Sequence, residues 1–215
     1  MGLIKDEQKE QLKEKFKELS GNVKLIFFTQ ETDCQYCEQA KELLGDVAEI
    51  SDKIVLEVHD FAADKEEVEK YKIDKVPATV VEGEKDYGIR FYGIPAGYEF
   101  TSLVDAIGFV SSGETGLSDE TKSALSQLEE DVHIQVFITL SCPYCPKAVE
   151  MAHKLAMESD RVTADMVEAA EFPDLTQKYG VMAVPKMVVN EDTQFEGALP
   201  EKEFVENVSK ALEKQ

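Results

Sequence analysis

The sequence of 215 residues contains no tryptophan and only two arginines, Arg90 and Arg161. Its 4 cysteines all lie in two Cys-x-x-Cys pairs, so none is left over for a structural cross-link. No apolar run approaches the roughly 18 residues of a membrane span, and the N-terminal stretch is charged rather than apolar as in a secretory signal. These absences predict a soluble, intracellular protein that uses cysteine as a reagent.

Basic residues are also scarce. The chain carries 44 acidic against 23 basic residues, which gives a net charge of −21. Such a surface repels nucleic acid and anionic membranes, so neither is an expected partner. The charge could attract basic client proteins, but a solvated, solubilising surface is the interpretation we prefer. The sequence contains no phosphate loop, dinucleotide fingerprint or His-Glu-x-x-His motif, so we expect no nucleotide, no metal and no bound cofactor.

The second half of the sequence repeats the first. An offset of 108 residues carries one Cys-x-x-Cys motif onto the other, and after a shorter second hairpin the offset becomes 104. The matching segments are Cys34–Cys37 with Cys142–Cys145, Val76-Pro77 with Val184-Pro185, and Phe91-x-Gly93 with Phe195-x-Gly197. This pattern indicates an internal duplication. We therefore predict two domains, residues 1–116 and 117–215, joined at the Ser- and Gly-rich stretch 111–116.

Each copy has the same predicted order of elements, β–α–β–α–β–β–α after an extra leading helix. Around the second motif, apolar residues alternate over 132–138, as in a strand, and follow a helical period over 148–156. The first half of each copy favours a parallel strand pair, and the second half favours an antiparallel hairpin with a covering helix. The predicted fold is therefore α/β, with a mixed central sheet flanked by helices in each domain.

Each cysteine pair lies where a strand leads into the N-terminus of a helix. A thiolate at this position is stabilised by the helix dipole and by free backbone N–H groups, which lower the thiol pKa. Cys34 and Cys142 lie nearer these groups and are the predicted nucleophiles. Cys37 and Cys145, which should be less exposed, are the predicted resolving cysteines of a two-electron exchange.

The residues between the cysteines differ in the two motifs. Gln35 and Tyr36 fill the first motif, and Pro143 and Tyr144 fill the second. Proline makes the second turn rigid, whereas glutamine leaves the first looser and more polar. We therefore expect the two sites to differ in reactivity, with Cys142 as the better nucleophile.

Two other uses of the cysteines are less consistent with the spacing. The pairs of a zinc ribbon are usually separated by about 15–20 residues, but here more than a hundred residues separate them and each pair lies in its own copy. A purely structural disulfide within Cys-x-x-Cys closes too short a loop to stabilise the fold much. Redox exchange remains the preferred interpretation, with no metal site.

Pro77 and Pro185 each follow the first cysteine of their copy by 43 residues, just before a predicted strand. This matched placement predicts cis peptide bonds, although only about 5% of X–Pro bonds in folded proteins are cis. A cis bond here would present the backbone of Val76 or Val184 to an extended client segment beside the thiols.

The remaining titratable residues carry no recognisable catalytic spacing. The three histidines, which we interpret as structural, are His59, His133 and His153. Glu57 and Asp165 occupy equivalent positions and are hypothesised to be partly buried acids that assist proton transfer near the thiols. Asp60 and Glu168, also equivalent, are interpreted as helix-capping or solvated acids at strand ends.

With these residues identified, each copy resembles the thioredoxin/glutaredoxin superfamily. Cys142-Pro143-Tyr144-Cys145 is similar to the glutaredoxin motif, and Val184-Pro185 is similar to the superfamily's cis-proline. Asp33 and Ser141 stand where thioredoxins carry a tryptophan before the first cysteine. Over its full length the chain resembles the protein disulfide oxidoreductases of hyperthermophilic archaea and bacteria, which have two tandem thioredoxin-like domains.

The resemblance implies a cytoplasmic enzyme that oxidises, reduces or isomerises disulfides of client proteins and is recycled by a thioredoxin-reductase-like flavoprotein. It implies that Cys142 and Cys145 form the main site, and that Cys34 and Cys37 form a second, regenerating site. Two alternatives stay open. One is an electron relay like the duplicated module of bacterial peroxiredoxin reductases, in which only one copy keeps its cysteines. The other is a non-enzymatic redox or metal sensor.

Overall fold

The computed structural model describes residues 3–212 and shows an α/β fold built on one eight-stranded sheet. The helices are α1 (Asp6–Phe16), α2 (Cys37–Ala48), α3 (Lys65–Lys70), α4 (Glu99–Ser112), α5 (Asp119–Ser126), α6 (Cys145–Glu158), α7 (Pro173–Lys178) and α8 (Glu201–Leu212). The strands are β1 (Val23–Thr29), β2 (Ile54–Asp60), β3 (Ala78–Glu82), β4 (Asp86–Tyr92), β5 (Val132–Ile138), β6 (Val162–Glu168), β7 (Lys186–Val189) and β8 (Thr193–Glu196).

The two halves of the chain form the same four-stranded arrangement. The order across the sheet is β2-β1-β3-β4-β6-β5-β7-β8. In each half the first strand pairs in parallel with the second and antiparallel with the third, and the third and fourth form an antiparallel hairpin. The predicted fold class, with tandem mixed sheets and a closing hairpin in each, is confirmed.

The two half-sheets are joined edge to edge, which the sequence did not predict. β4 pairs in parallel with β6, from Ile89 opposite Ala164 to Tyr92 opposite Val167. Without this pairing each strand would present unpaired backbone N–H and C=O groups at a sheet edge. This pairing joins strands that are distant in sequence, and hydrophobic periodicity does not indicate which strands pair. The sequence therefore predicted two separate sheets, whereas the structure has one.

Helix α6 packs against both β4 and α4 of the other half. Its predicted apolar face is buried, as shown by Ala148, Val149, Ala152, Leu155 and Ala156. His153 on the same helix is also buried, and its ring lies edge-to-face on Phe91 of β4 with 4.8 Å between centroids. Burial lowers the pKa of His153 to about 4. A neutral ring in the joined core agrees with the structural role expected for this histidine.

The predicted domain boundary falls in the connection between α4 and α5, where Gly113 and Gly116 adopt positive φ angles. The boundary at residues 116 and 117 stays a prediction, because the two halves share one sheet. The outer ends of the predicted domains, residues 1–2 and 213–215, lie outside the described residues. Within residues 3–212, none of the helices combines the length and apolar character needed to cross a membrane.

Candidate active sites

Both Cys-x-x-Cys motifs lie at the N-terminus of a helix, as the sequence predicted. Cys34 and Cys37 form one disulfide, Cys142 and Cys145 form the other, and the Cα atoms are 5.5 Å apart in each pair. Helix α2 begins at Cys37 and α6 begins at Cys145. The second cysteine of each pair is therefore the first helical residue, and the first cysteine lies in the turn that faces the helix N-terminus.

The cysteines differ in exposure in the order expected for a nucleophile and a resolving thiol. Cys37 and Cys145 are 2% and 0% exposed. Cys34 is half-buried, and Cys142 retains 8% of its surface. An incoming disulfide can therefore reach the first cysteine of each pair more readily than the second, which supports the proposed division of roles.

The second motif surrounds the Cys142 sulfur with backbone groups. The N–H of Cys145 donates a hydrogen bond to Cys142 Sγ over 3.2 Å, and the carbonyl oxygen of Val184 lies 3.9 Å from the same sulfur. A hydrogen bond from the free N-terminus of a helix stabilises a thiolate once the pair is reduced. Within residues 3–212 there is no corresponding bond from Cys37 to Cys34, so the two sites differ electrostatically.

The predicted cis peptide bonds are present at Val76-Pro77 and Val184-Pro185. Each proline carbonyl accepts a hydrogen bond from a glycine N–H in the closing hairpin, Gly93 for the first copy and Gly197 for the second, over 2.9 Å in both cases. These glycines have φ angles of 99° and 97°, in the left-handed region that other residues avoid. The repeated Phe-x-Gly pattern therefore has a physical cause that the sequence did not reveal.

The second site has an apolar rim, formed by exposed side chains around the Cys142 motif. Tyr144 within the motif is 71% exposed, and Met182, two residues before Val184, is 93% exposed. Tyr98 is 51% exposed, and its N–H donates to the carbonyl of Leu140, two residues before Cys142. These three exposed side chains lie on segments that contain or adjoin the Cys142 motif and its cis-proline.

The first site is lined in part by a loop of the second half. A cavity of about 270 Å³ contains residues of the first motif, the first cis-proline and the loop between β6 and α7. Its lining residues are Asp33, Cys34, Gln35, Tyr36, Val76, Pro77, Ala170, Glu171 and Pro173. The sequence placed each site wholly within its own copy, whereas the structure shows that the second half contributes to the first site.

The two sites also border a shared apolar groove. Tyr36 of the first motif and Leu140, just before the second, line a cavity of about 440 Å³ together with Ile94, Ala96 and Gly97. Gly97 has a φ of 59°, and a Cβ at this position would overlap the carbonyl oxygen of Leu140. The segment that follows β4 is therefore fitted closely to the segment that carries Cys142.

The structure gives no support to the hypothesis that Glu57 and Asp165 assist the thiols. Glu57 lies 3.4 Å from the ammonium group of Lys24. Asp165 is buried and lies 2.6 Å from Nε2 of His133. Burial of His133 opposes its protonation, but the hydrogen bond to Asp165 outweighs it and raises the pKa of the imidazole. Both acids are engaged by basic partners rather than by cysteines.

Burial raises the pKa of three other carboxyl groups, which the sequence did not single out as buried. Glu99 is fully buried at the start of α4, where Oε2 accepts a hydrogen bond from Ser102 over 2.6 Å and burial raises the pKa to about 7. Glu168, expected to be helix-capping or solvated, is 4% exposed, and burial raises its pKa. Burial also raises the pKa of Glu171 to about 7. Nothing in the sequence distinguishes these glutamates from exposed ones, so their burial is seen only in the folded structure.

A mixed sheet, a Cys-x-x-Cys turn at a helix N-terminus and an adjacent cis-proline occur twice, and together they define a tandem thioredoxin-fold dithiol protein. The chain belongs to the thioredoxin-domain family, whose model matches residues 22–105 and 132–210. It is similar to a protein disulfide oxidoreductase from Aeropyrum pernix, with 34% identity, 98% of this chain and 94% of that chain covered, and a TM-score of 0.92. The resemblance predicted from the sequence is confirmed.

The chain is also similar to parts of larger reductases. It matches the NTD_N/C domain of the alkyl hydroperoxide reductase AhpF from Enterococcus faecalis, with 28% identity, a TM-score of 0.88 and coverage of 95% and 99%. It is 26% identical over 189 residues to an alkyl hydroperoxide reductase polypeptide of Staphylococcus aureus, covering 87% of this chain and 34% of that protein. The chain spans about a quarter to a third of the length of the curated relatives that it matches first.

Proposed function

We propose that the protein is a protein-disulfide oxidoreductase that exchanges electrons with client proteins at two dithiol sites. The observation that carries this proposal is the second site, where Cys142 receives a hydrogen bond from a helix N-terminus and lies beside an exposed apolar rim. The similarity to the Aeropyrum pernix protein disulfide oxidoreductase supports the same activity. The chemistry uses the cysteines alone and needs no bound cofactor or metal.

In the reducing direction, the thiolate of Cys142 attacks a client disulfide. One client sulfur becomes bonded to Cys142, and the other leaves as a thiolate that takes up a proton. Cys145 then loses its proton and attacks Cys142, so the client leaves with both sulfurs reduced and the enzyme holds a disulfide. The reverse sequence oxidises a client. Isomerisation results when a second thiolate of the client, in place of Cys145, attacks the client sulfur bonded to Cys142, so a new client disulfide forms and Cys142 leaves as a thiolate.

The Val184-Pro185 segment is positioned to bind the client backbone. Val184 precedes β7, and its carbonyl oxygen lies 3.9 Å from the reactive sulfur. An extended client segment can align beside this carbonyl while its apolar side chains contact Met182 and Tyr144. In the first copy Val76-Pro77 holds the equivalent position, and the loop that carries Glu171 lines the same cavity.

The partners proposed are client proteins that carry disulfides or dithiols, and a thioredoxin-reductase-like flavoprotein that restores the reduced state.

A second candidate function is electron relay to a peroxiredoxin. The similarity to alkyl hydroperoxide reductase AhpF favours this alternative. The presence of cysteines in both copies favours the first proposal, because the duplicated relay module of peroxiredoxin reductases keeps only one pair.

The test is multiple turnover with each class of partner. The protein should accelerate the reduction of insulin disulfides by dithiothreitol, and Cys142→Ser should lower this acceleration to what the first site supplies. In a parallel assay, a peroxiredoxin and a hydroperoxide replace insulin. Turnover only with the peroxiredoxin would favour the relay, and a single stoichiometric reaction with either would indicate a sensor rather than an enzyme.

A further inference from the structure

Glu171 belongs to the second half of the chain but faces the dithiol of the first. It lies between β6 and α7, and it lines the same cavity as Cys34 and Pro77. We propose that Glu171 is the proton carrier of the first dithiol site, taking a proton from the attacking Cys34 thiol and returning it to the client thiolate that leaves. This inference rests on the proposed function and adds a residue to it.

The position of Glu171 is fixed by both halves. Its Oε1 accepts a hydrogen bond from the N–H of Ile94 over 2.7 Å, and its own N–H donates to Glu168 Oε2 over 2.8 Å. The neighbouring Gly93 donates to the carbonyl of Pro77. A Cβ at Gly93 would lie 2.7 Å from Glu171 Oε1, so the carboxyl group rests directly on the glycine that holds the cis-proline.

The environment of the carboxyl group suits proton transfer near neutral pH. Burial raises the pKa of Glu171 to about 7, the hydrogen bond from Ile94 opposes this shift, and the charge of Glu168 adds to it. The other titratable groups that line the cavity are Asp33, Tyr36 and Cys34. No basic side chain lines it among the described residues, so no cation holds the carboxyl group in its charged form. An acid whose pKa lies near the working pH is the most effective proton carrier.

The second site has no such group at the equivalent place. The repeat offset aligns Gly93 and Ile94 with Gly197 and Ala198, so the equivalent place at the second site lies beside these two residues. Gly197 still donates to Pro185, but the nearest atom to a Cβ built there is a Leu199 side-chain carbon at 3.9 Å. The duplication therefore keeps the cis-proline support in both copies and adds the carboxyl group to only one site.

The step balances without any further reactant. The Cys34 thiol gives its proton to the Glu171 carboxylate, and the resulting thiolate attacks the client disulfide. The Cys34–client bond forms, the client S–S bond breaks, and the departing thiolate takes the proton from the Glu171 carboxyl group. Glu171 returns to the carboxylate form, and the electron pair of the broken bond leaves with the client sulfur.

The test measures how fast the first site reacts with each of two small disulfides. It uses the full chain with the second site inactivated by Cys142→Ser and Cys145→Ser. Hydroxyethyl disulfide releases a strongly basic thiolate that needs a proton, whereas dipyridyl disulfide releases a weakly basic one that does not. We expect Glu171→Gln to slow both reactions, because each begins with proton removal from Cys34, and to slow the first by about 10-fold or more relative to the second. Glutamine keeps the acceptor for Ile94, so the packing is preserved.

The matched control is Asp174→Asn, which removes an exposed carboxylate three residues away and should change neither rate. An equal loss with both disulfides, or no loss with either, would overturn the role of Glu171. A wild-type first site that reacts with neither disulfide would instead overturn the exchange activity proposed for that site, and with it this inference. The two failures are therefore distinguishable.

Discussion

The backbone N–H of Cys145 donates a hydrogen bond to the sulfur of Cys142 across 3.2 Å, at the first residue of α6. In the reduced protein the same donor faces a thiolate, and a charged acceptor makes this bond stronger and shorter. The bond thus favours the reactive form of Cys142. The first motif has the same turn but, in the described part of the chain, no corresponding bond.

This difference predicts the order of thiol reactivity. In the fully reduced protein, Cys142 should be alkylated faster than Cys34 at neutral pH, and the buried Cys37 and Cys145 should lag behind both. The pH at which the alkylation rate of Cys142 is half-maximal should lie below the pKa of a free thiol, which is about 8.5. Mass spectrometry of iodoacetamide-treated protein across a pH series measures each rate. Four equal midpoints near the free-thiol value would contradict the assignment.

The close fit of Gly97 against Leu140 predicts that a substitution in the first half changes the reactivity of Cys142 in the second half. In Gly97→Ala the new Cβ would overlap the carbonyl of Leu140, so the segment that carries Cys142 must move. We expect a loss of stability well above about 1 kcal/mol and a slower reaction of Cys142. Gly113→Ala is the control, because Gly113 has a φ of 74° but no atom within 4 Å of the built Cβ. It should cost only about 1 kcal/mol for the positive φ and leave Cys142 unaffected. Equal effects of the two variants would disprove this prediction.

Glu99 predicts a loss of stability as the pH rises. Burial raises its pKa from 4.5 to about 7, so the folded state binds a proton that the unfolded state releases. The stabilisation is complete below pH 4.5 and is lost as the pH rises through 7, with a total change of about 3 kcal/mol. Glu99→Gln removes this titration.

The measurement is urea unfolding at about pH 5 and about pH 8, on either side of the shifted titration. Glu99→Gln should resemble wild type at the lower pH and be more stable than wild type at the higher one. Glu120→Gln, a change at an exposed carboxylate, is the control and should follow wild type at both pH values. The role of Glu99 would be refuted if its variant lost stability between the two pH values as steeply as wild type.

Met182 predicts client affinity at the second site. Its side chain is 93% exposed beside the Val184-Pro185 segment, so binding a client there removes apolar surface from water. We expect Met182→Ser to raise KM for a protein disulfide by about 5-fold with little change in kcat. Val58→Ser removes an exposed apolar side chain from the outer strand of the first half, so it should leave KM unchanged. A lowered kcat with unchanged KM would contradict a binding role for Met182.

Much of this structure could be predicted because hydrophobic periodicity and the internal repeat are visible in the sequence itself. The alternation over 132–138 and the helical period over 148–156 mark faces that the structure buries, although β5 is buried on its other face as well, at Gln135 and Phe137. The repeat offset revealed the duplication, and the cis-prolines followed from their matched positions. The nucleophile and resolver roles remain predictions that the exposure of the cysteines supports.

The remaining features depend on contacts between distant parts of the chain. The pairing of β4 with β6 leaves no trace in either strand's own pattern, since any strand edge offers the same backbone groups. In the sequence Glu171 is one of many acidic loop residues. Its place at the first site follows only from its contact with Ile94 and from the cavity that it lines with the first motif. Glu57 and Asp165 share a repeat position, but strand geometry directs them toward Lys24 and His133 and not toward the cysteines.

The most direct test of thiol–disulfide exchange is to trap the covalent intermediate. In a Cys37→Ser/Cys145→Ser variant neither resolving thiol is present, so a client disulfide should form a stable mixed disulfide with the nucleophilic cysteines. We predict that mass spectrometry of the trapped complex finds the client joined first to Cys142 and more slowly to Cys34. A folded variant that forms no adduct at Cys142 would contradict the central claim.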